Sequence, residues 1–177
     1  MADYPTNTEP TIDIRSTRND DIEQIQQIYA DAVLHTTASF ELIPPDTEEM
    51  LHRFQDVVAH GHPHLVACQN DNVLGYCYAS AFKSRPGYRH TVECSVYVHN
   101  DMRRQGVAVR LLESLINQCR QRQVHRMIAV IGDVANTASI RLHEKLDFTH
   151  AGVLTEVGFK FDRWIDVVLM ERVLSPV

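Results

Sequence analysis

The chain has 177 residues, 44% of them hydrophobic and 23% charged, which supplies one globular core and leaves too little chain for two domains of ordinary size. With 17 Lys and Arg against 23 Asp and Glu, the net charge is −6, which argues against non-specific nucleic-acid binding through a basic face. No stretch approaches the roughly 20 consecutive apolar residues of a membrane helix, so neither nucleic acid nor membrane is an expected partner.

The polar, proline-bearing start MADYPTNTEP carries no basic segment followed by an apolar one, and residues 1–10 read as a disordered lead-in to one domain at 11–177. Thr11–Arg15 alternates polar and apolar as a strand does. Asp20-x-x-Glu23 has the form of a capping box, and Ile22, Ile25, Ile28, Tyr29, Ala32 and Val33 follow at helical spacing. His35–Pro45 breaks that pattern. A second capping-box pattern, Asp46-x-x-Glu49, opens a helix with Met50, Leu51, Phe54, Val57 and Val58 on one face.

Leu65–Gln69 and Val73–Ala81 read as two strands joined at Asp71-Asn72, and Lys83–His90 as a loop. Thr91–Val98 is a strand rich in β-branched residues, followed by the turn HNDMRRQG and a helix with Val107, Leu111, Leu112, Leu115, Ile116 and Cys119 on its apolar face. Met127–Ile131 is continuously apolar, as expected of a strand covered on both faces. Asn136 caps a helix running to about Leu146, and two strands close the chain near Gly152–Phe161 and Trp164–Val173. The order β-α-α-β-β-β-α-β-α-β-β predicts a single α/β domain with a mixed sheet. Cys68, Cys77, Cys94 and Cys119 fall inside these elements without a CxxC pair, which reads as reduced core thiols of a cytoplasmic protein.

The turn after the central strand carries the clearest chemistry. The first N–H groups of a helix have no intrahelical partners, and the helix dipole adds partial positive charge there. Gly106 and Ala108 let an anion approach that backbone, and Arg103 and Arg104 add charged donors. Taken alone, RxxGxA means only an anion at a helix start. It is neither a GxGxxG dinucleotide fingerprint nor a P-loop.

Its surroundings give it a narrower meaning. Val96–Ala108 resembles the acetyl-CoA-binding motif of the GNAT superfamily of N-acetyltransferases, Q/R-x-x-G-x-G/A after the fourth strand. IYADAVLHTTASFE, FKSRPGYRHTVECSVYV, VIGDVANTASIRLHEKLDF and GFKFDRWIDV extend the resemblance to the phosphinothricin acetyltransferase branch. That resemblance implies a GNAT fold: about seven strands in a mixed sheet, about four flanking helices, and fourth and fifth strands that splay apart. It implies acetyl-CoA as co-substrate, a small amino-acid-like amine as acceptor, no metal, and a homodimer.

Carried over residue by residue, the resemblance implies that Val96, Tyr97 and Val98 hold the pantetheine arm. The pyrophosphate then falls on Arg103, Arg104, Gln105, Gly106, Val107, Ala108 and Val109. Asn136 matches an asparagine that contacts the pantetheine arm, although a helix cap is an equal reading of it, and Ser139 and His143 share its helical face. His143 stands where many relatives place a tyrosine that protonates the departing thiolate; a histidine merely covering the helix is the competing reading. Glu93 matches the family glutamate that serves as general base, with a plain ion pair as its alternative. Thr37 and Phe40, and beyond them Lys83, Arg85 and Tyr88, match the acceptor site, where Arg85 suits a carboxylate. Lys160 and Trp164 match the last motif and would close the pocket, unless Trp164 packs in the core. Ala30, Asp147 and Asp162 depart from residues common in the branch.

The run His60-Gly-His62-Pro-His64 reads as a solvated loop, because zinc sites draw ligands from rigid, separated segments. Two other functions remain open at this stage: a catalytically silent acyl-CoA sensor on the same fold, and an acetyltransferase that modifies proteins.

Overall fold

The computed structural model describes residues 11–174; the predicted lead-in at 1–10 lies outside that range, as do 175–177. The elements are β1 (Asp13–Ser16), α1 (Ile22–His35), α2 (Thr47–Ala59), β2 (His64–Gln69), β3 (Asn72–Ala81), β4 (Thr91–Val98), α3 (Val107–Gln121), β5 (Arg126–Gly132), α4 (Thr137–Lys145), β6 (Thr149–Lys160) and β7 (Arg163–Val173). They form one seven-stranded sheet in the order β1-β2-β3-β4-β5-β7-β6. Every neighbouring pair is antiparallel except β4–β5, which is parallel. This is the element order that the hydrophobic periodicity predicts.

Two cores cover the two faces. On one, α3 presents Leu111, Leu112 and Leu115 to the sheet, all fully buried. Each such leucine contributes about 1.5–3 kcal/mol of burial. On the other, Ile25, Ile28 and Val33 of α1 and Met50 and Phe54 of α2 pack on Val66, Val73 and Tyr76. Strand β4 alternates between the two, with Val92, Cys94, Val96 and Val98 toward α3 and Tyr97 toward α1.

The local predictions fail in informative places. The capping box at Asp20-x-x-Glu23 does not form, because the chain makes a 3-10 turn at Asn19–Asp21 and α1 starts after it without a side-chain cap. At α2 half of the box forms: Asp46 accepts the Glu49 N–H, while the Glu49 carboxylate turns to Arg53. Val58 is half exposed, beyond the edge of the face that α2 buries. The β2–β3 turn falls one residue early, with Asn70 at φ 55 and Gln69 paired to Asn72. Strand β6 starts at Thr149 and reaches Lys160 through two register shifts. Within β5, Val130 is exposed, since the face it points to opens where β4 and β5 separate. His64 is no loop residue. It begins β2, is buried, and lies with its ring stacked on Tyr76 and Tyr78.

Asp21 shows what replaces the missing cap. Its carboxylate, 5% exposed, accepts Arg15 Nη1 and Nη2 at 2.7 and 2.8 Å and the Arg18 N–H at 2.7 Å, tying β1 to the start of α1. Burial alone would raise this carboxyl; the Arg15 hydrogen bonds and the Arg18 N–H outweigh it and hold it below the usual value. A carboxyl lowered by folding stabilises fully above the ordinary carboxylate range, and that contribution is lost as pH falls through the lowered value. Asp21→Asn is expected to cost about 2–3 kcal/mol at pH 7. The gap to wild type should narrow in acid, as urea unfolding at several pH values would read.

Candidate active site

The sheet is interrupted at its centre. β4 and β5 pair from Thr91↔Arg126 to Cys94↔Ala129 and no further. On their outer sides both strands go on pairing, β4 with β3 to Val98↔Gly75 and β5 with β7 to Gly132↔Val167. Each is therefore held in place while the two diverge. The β5-facing edge of β4 over Ser95–Val98 has no strand partner, so its polar backbone groups are free to bind an inserted chain.

A cavity of about 920 Å³ leads from this divergence to the start of α3. Val96, Tyr97, Val98, Arg103, Arg104, Gly106, Val107, Ala108, Val109, Asn136, Ser139 and Thr37 all line it, so the structure brings together most of the predicted acetyl-CoA residues. Gln105 does not: its amide turns away to donate to the Asp101 carbonyl. Gly106 is the residue before the helix and has φ +81, a conformation that favours glycine. Arg104 is also left-handed, at φ 62, the kind of backbone strain found where a loop must aim groups at a ligand. No side chain caps α3, so its first N–H groups face the cavity beside Arg103 and Arg104, neither of which has an acidic partner among the described residues. The cradle fits a pyrophosphate.

Sequence reasoning missed several wall residues. Arg141 and Lys145 extend the basic wall along α4, and Phe161 and Arg163 come from the last hairpin. Arg141 and Lys145 were findable, since they lie on the helix turns next to Asn136 and Leu142. The hairpin pair was not, because tertiary folding alone brings it there. Arg163 pairs with Asp133, and Phe161 and Asp162 form a two-residue turn with both φ positive, at 54 and 55.

Asn136 caps α4, accepting the Ser139 N–H at 3.2 Å. His143 is not a surface residue. At 3% exposure it lies in the narrow end of the gap beside Cys94, Val96 and Ala129. Its Nδ1 is 2.8 Å from the Ser139 carbonyl, which can only accept, so Nδ1 carries the proton and Nε2 presents its lone pair 3.9 Å from Cys94 Sγ. Burial lowers its pKa, against the Ser139 hydrogen bond. The ring is neutral at neutral pH.

Glu93 sits one residue before Cys94, the last β4 residue paired to β5. It is half-buried and has no ion pair among the described residues, and burial raises its carboxyl above the usual value while the Lys83 ammonium opposes the shift. Lys83, Arg85 and Tyr88 are exposed on the loop between β3 and β4, outside the large cavity, with Tyr88 edge-on to Phe82. Thr37 passes directly over Gly132, where a Cβ would lie 2.1 Å from the Thr37 carbonyl oxygen. Phe40 packs on Gly158 in the same way. Trp164 is 60% exposed against Phe159, which removes it from the core.

Lys160 anchors this loop. It is 3% exposed and its ammonium donates to the carbonyls of Thr36 at 2.9 Å and Ser39 at 2.6 Å. Burial lowers its pKa, with Glu41 opposing.

Over residues 14–169 the sequence matches the acetyltransferase (GNAT) domain family. The chain is a GNAT acetyltransferase. It is 48% identical over 162 residues to the phosphinothricin N-acetyltransferase of Alcaligenes faecalis, covering 92% of this chain and 82% of that protein. It is 40% identical over 157 residues to the L-methionine sulfoximine/L-methionine sulfone acetyltransferase of Pseudomonas aeruginosa, covering 88% of this chain and 91% of that one. A phosphinothricin acetyltransferase of Sinorhizobium meliloti, solved with acetyl-CoA, superposes with a TM-score of 0.90 at 38% identity, covering 93% of this chain and 89% of that one. The acetyltransferase uses acetyl-CoA as its acetyl donor.

Lys160→Met should leave the Thr36 and Ser39 carbonyls without their donor and cost about 1–3 kcal/mol, read as a lowered Tm by calorimetry.

Proposed function

We propose that this acetyltransferase moves the acetyl group of acetyl-CoA to the amine of a small amino-acid-like acceptor by direct transfer in a ternary complex. Phosphinothricin, methionine sulfone and methionine sulfoximine are the acceptors that its relatives suggest. The observation that carries the reading is Glu93 itself, half-buried without an ion pair among the described residues and one residue before the point where β4 and β5 part, next to the gap that opens toward the α3 amide cradle.

The α3 N–H groups, Arg103 and Arg104 hold the donor's pyrophosphate, and the free edge of Val96–Val98 with Asn136 and Ser139 holds its pantetheine arm. Arg85 and Lys83, with Tyr88, take the acceptor carboxylate from the β3–β4 loop, and Thr37 and Phe40 border the acceptor from the loop after α1. Glu93 accepts a proton from the acceptor ammonium, and the freed amine attacks the thioester carbonyl carbon. Backbone donors near Tyr97 and Val98 polarise that carbonyl, the C–S bond breaks, and the thiolate leaves. His143, neutral with the Nε2 lone pair toward Cys94, takes the second proton that the amine nitrogen loses on acylation and delivers it to the departing thiolate.

A base whose pKa is raised by burial is protonated, and so inactive, up to a higher pH than a free carboxyl. The acid limb of kcat/KM should therefore lie above the ordinary carboxylate range and vanish in Glu93→Gln. That variant should lose about 10²–10⁴-fold in thiol release with methionine sulfone while still binding CoA. Unchanged turnover would overturn the role of Glu93; CoA binding with no turnover on any amine would favour the sensor.

The enzyme pairs as a homodimer through β6, a twelve-residue edge strand with exposed Val153, Val157 and Phe159, beside Trp164 on β7. Such an edge is normally covered. Wild type should sediment as a dimer and Trp164→Asp as a monomer; a monomeric wild type would overturn the pairing. The four buried free cysteines suit the reducing cytoplasm.

A further inference from the structure

The gap between β4 and β5 is blind at its inner end, where the strands rejoin at Cys94↔Ala129. That end is a pocket of about 60 Å³, against about 920 Å³ for the cavity that leads to it. Cys94, Ala129 and His143, all buried, line the pocket and do not line the large cavity. We infer that this blind end measures the acyl chain of the donor, with Cys94, Ala129 and His143 as a stop that takes an acetyl group and turns away longer ones. The inference rests on the acetyl-transfer reading above and specifies which donors it admits. The large cavity alone would set no such limit.

A donor with its pyrophosphate at the start of α3 and its arm along the free edge of Val96–Val98 runs toward Cys94. Its acyl end therefore arrives where the gap closes. Two faces of the sheet are open to the alkyl tail there. Alternation along β4 puts Glu93 on the face of Tyr97, toward α1, and Cys94 on the opposite face. The amine must reach the carbonyl carbon from the face that carries Glu93, so a tail on that side would block it. The tail is left the other face, where Cys94 and His143 meet.

Space on that face is short. A dry cavity of about 150 Å³ holds benzene, or about 25 Å³ for each carbon. A pocket of about 60 Å³ therefore takes two or three heavy atoms. An acetyl group has three, and a propionyl group already exceeds the limit.

The stop is also rigid. His143 is fixed through Nδ1, 2.8 Å from the Ser139 carbonyl, and its ring lies edge-on to Phe148 with centroids 5.0 Å apart. Cys94 Sγ, 3.9 Å from Nε2, closes the space between strand and helix. Cys94 and Ala129 are locked in the sheet by β3 and β7 on their outer sides. An added methylene can enter only by displacing one of these groups, which close packing resists.

The test compares acetyl-CoA, propionyl-CoA and butyryl-CoA in two readouts, thiol release with methionine sulfone and calorimetric binding without acceptor. In wild type kcat/KM should fall by about 10–200-fold from acetyl to propionyl and further to butyryl, with binding weakening in the same order. Cys94→Ala removes one heavy atom from the stop and should raise the propionyl-to-acetyl ratio by about tenfold in both readouts. Cys94→Ser keeps an atom there and should leave the ratio near wild type. Equal use of acetyl-CoA and butyryl-CoA by wild type would overturn the stop without any variant. So would a ratio unmoved in folded Cys94→Ala, or one that rises as far in Cys94→Ser. Failure to acetylate any amine while CoA still binds would instead overturn the reading on which the stop rests.

Discussion

The parting of β4 and β5 is the constraint around which the rest is arranged. A backbone edge left without a partner is costly unless water or a ligand satisfies it. The structure sustains the break by securing each strand from outside, β4 through β3 and β5 through β7. Because β4–β5 is the parallel pair, the strands part at their C-terminal ends, where α3 and α4 begin. In an α/β sheet that is where ligands bind. The opening between strands, the amide cradle of α3 and the cap of α4 therefore converge by topology.

The proposed acceptor side depends on a different device. Between α1 and α2 the chain runs from Thr36 to Asp46 without regular structure, and such a segment would ordinarily be loose. Here Lys160 holds two of its carbonyls, Tyr29 bonds Ser39 and Glu41, and Arg53 bonds Glu41. The loop is fastened at one end by the last hairpin and at the other by α2. Thr37 and Phe40 owe their positions to this network and to the missing Cβ atoms of Gly132 and Gly158.

Much of this was legible in the chain itself. Periodicity of 3.6 and 2 residues gave the eleven elements in order, and the alternation of Val92 to Val98 gave the correct faces of β4. The turn at Arg103–Ala108 declared an anion site through glycine placement and charge. What escaped was decided by partners distant in sequence. Asp20 and Asp21 are equivalent in a capping pattern, and only Arg15 on β1 selects Asp21. His143 shares a helical face with polar residues, yet Phe148 and Cys94 close over it. Met127–Ile131 looks covered on both faces, but the opening beside β4 uncovers Val130. For Trp164 the core was one of two readings, and its place on the outer hairpin leaves it exposed.

The Lys160 bonds also bear on the order in which the protein is finished. They join residues 124 and 121 positions apart in the chain. The loop near Thr37 is made early and has its own helix on either side, but two of its carbonyls are held by an ammonium group made much later. Domains are completed as units, and contacts of such separation close last, after the loop-closure entropy has been met by other contacts. The final hairpin thus closes both sides of the site at once: β7 secures β5 beside the gap, Phe161 and Arg163 wall the cavity, and Lys160 fastens the loop over it.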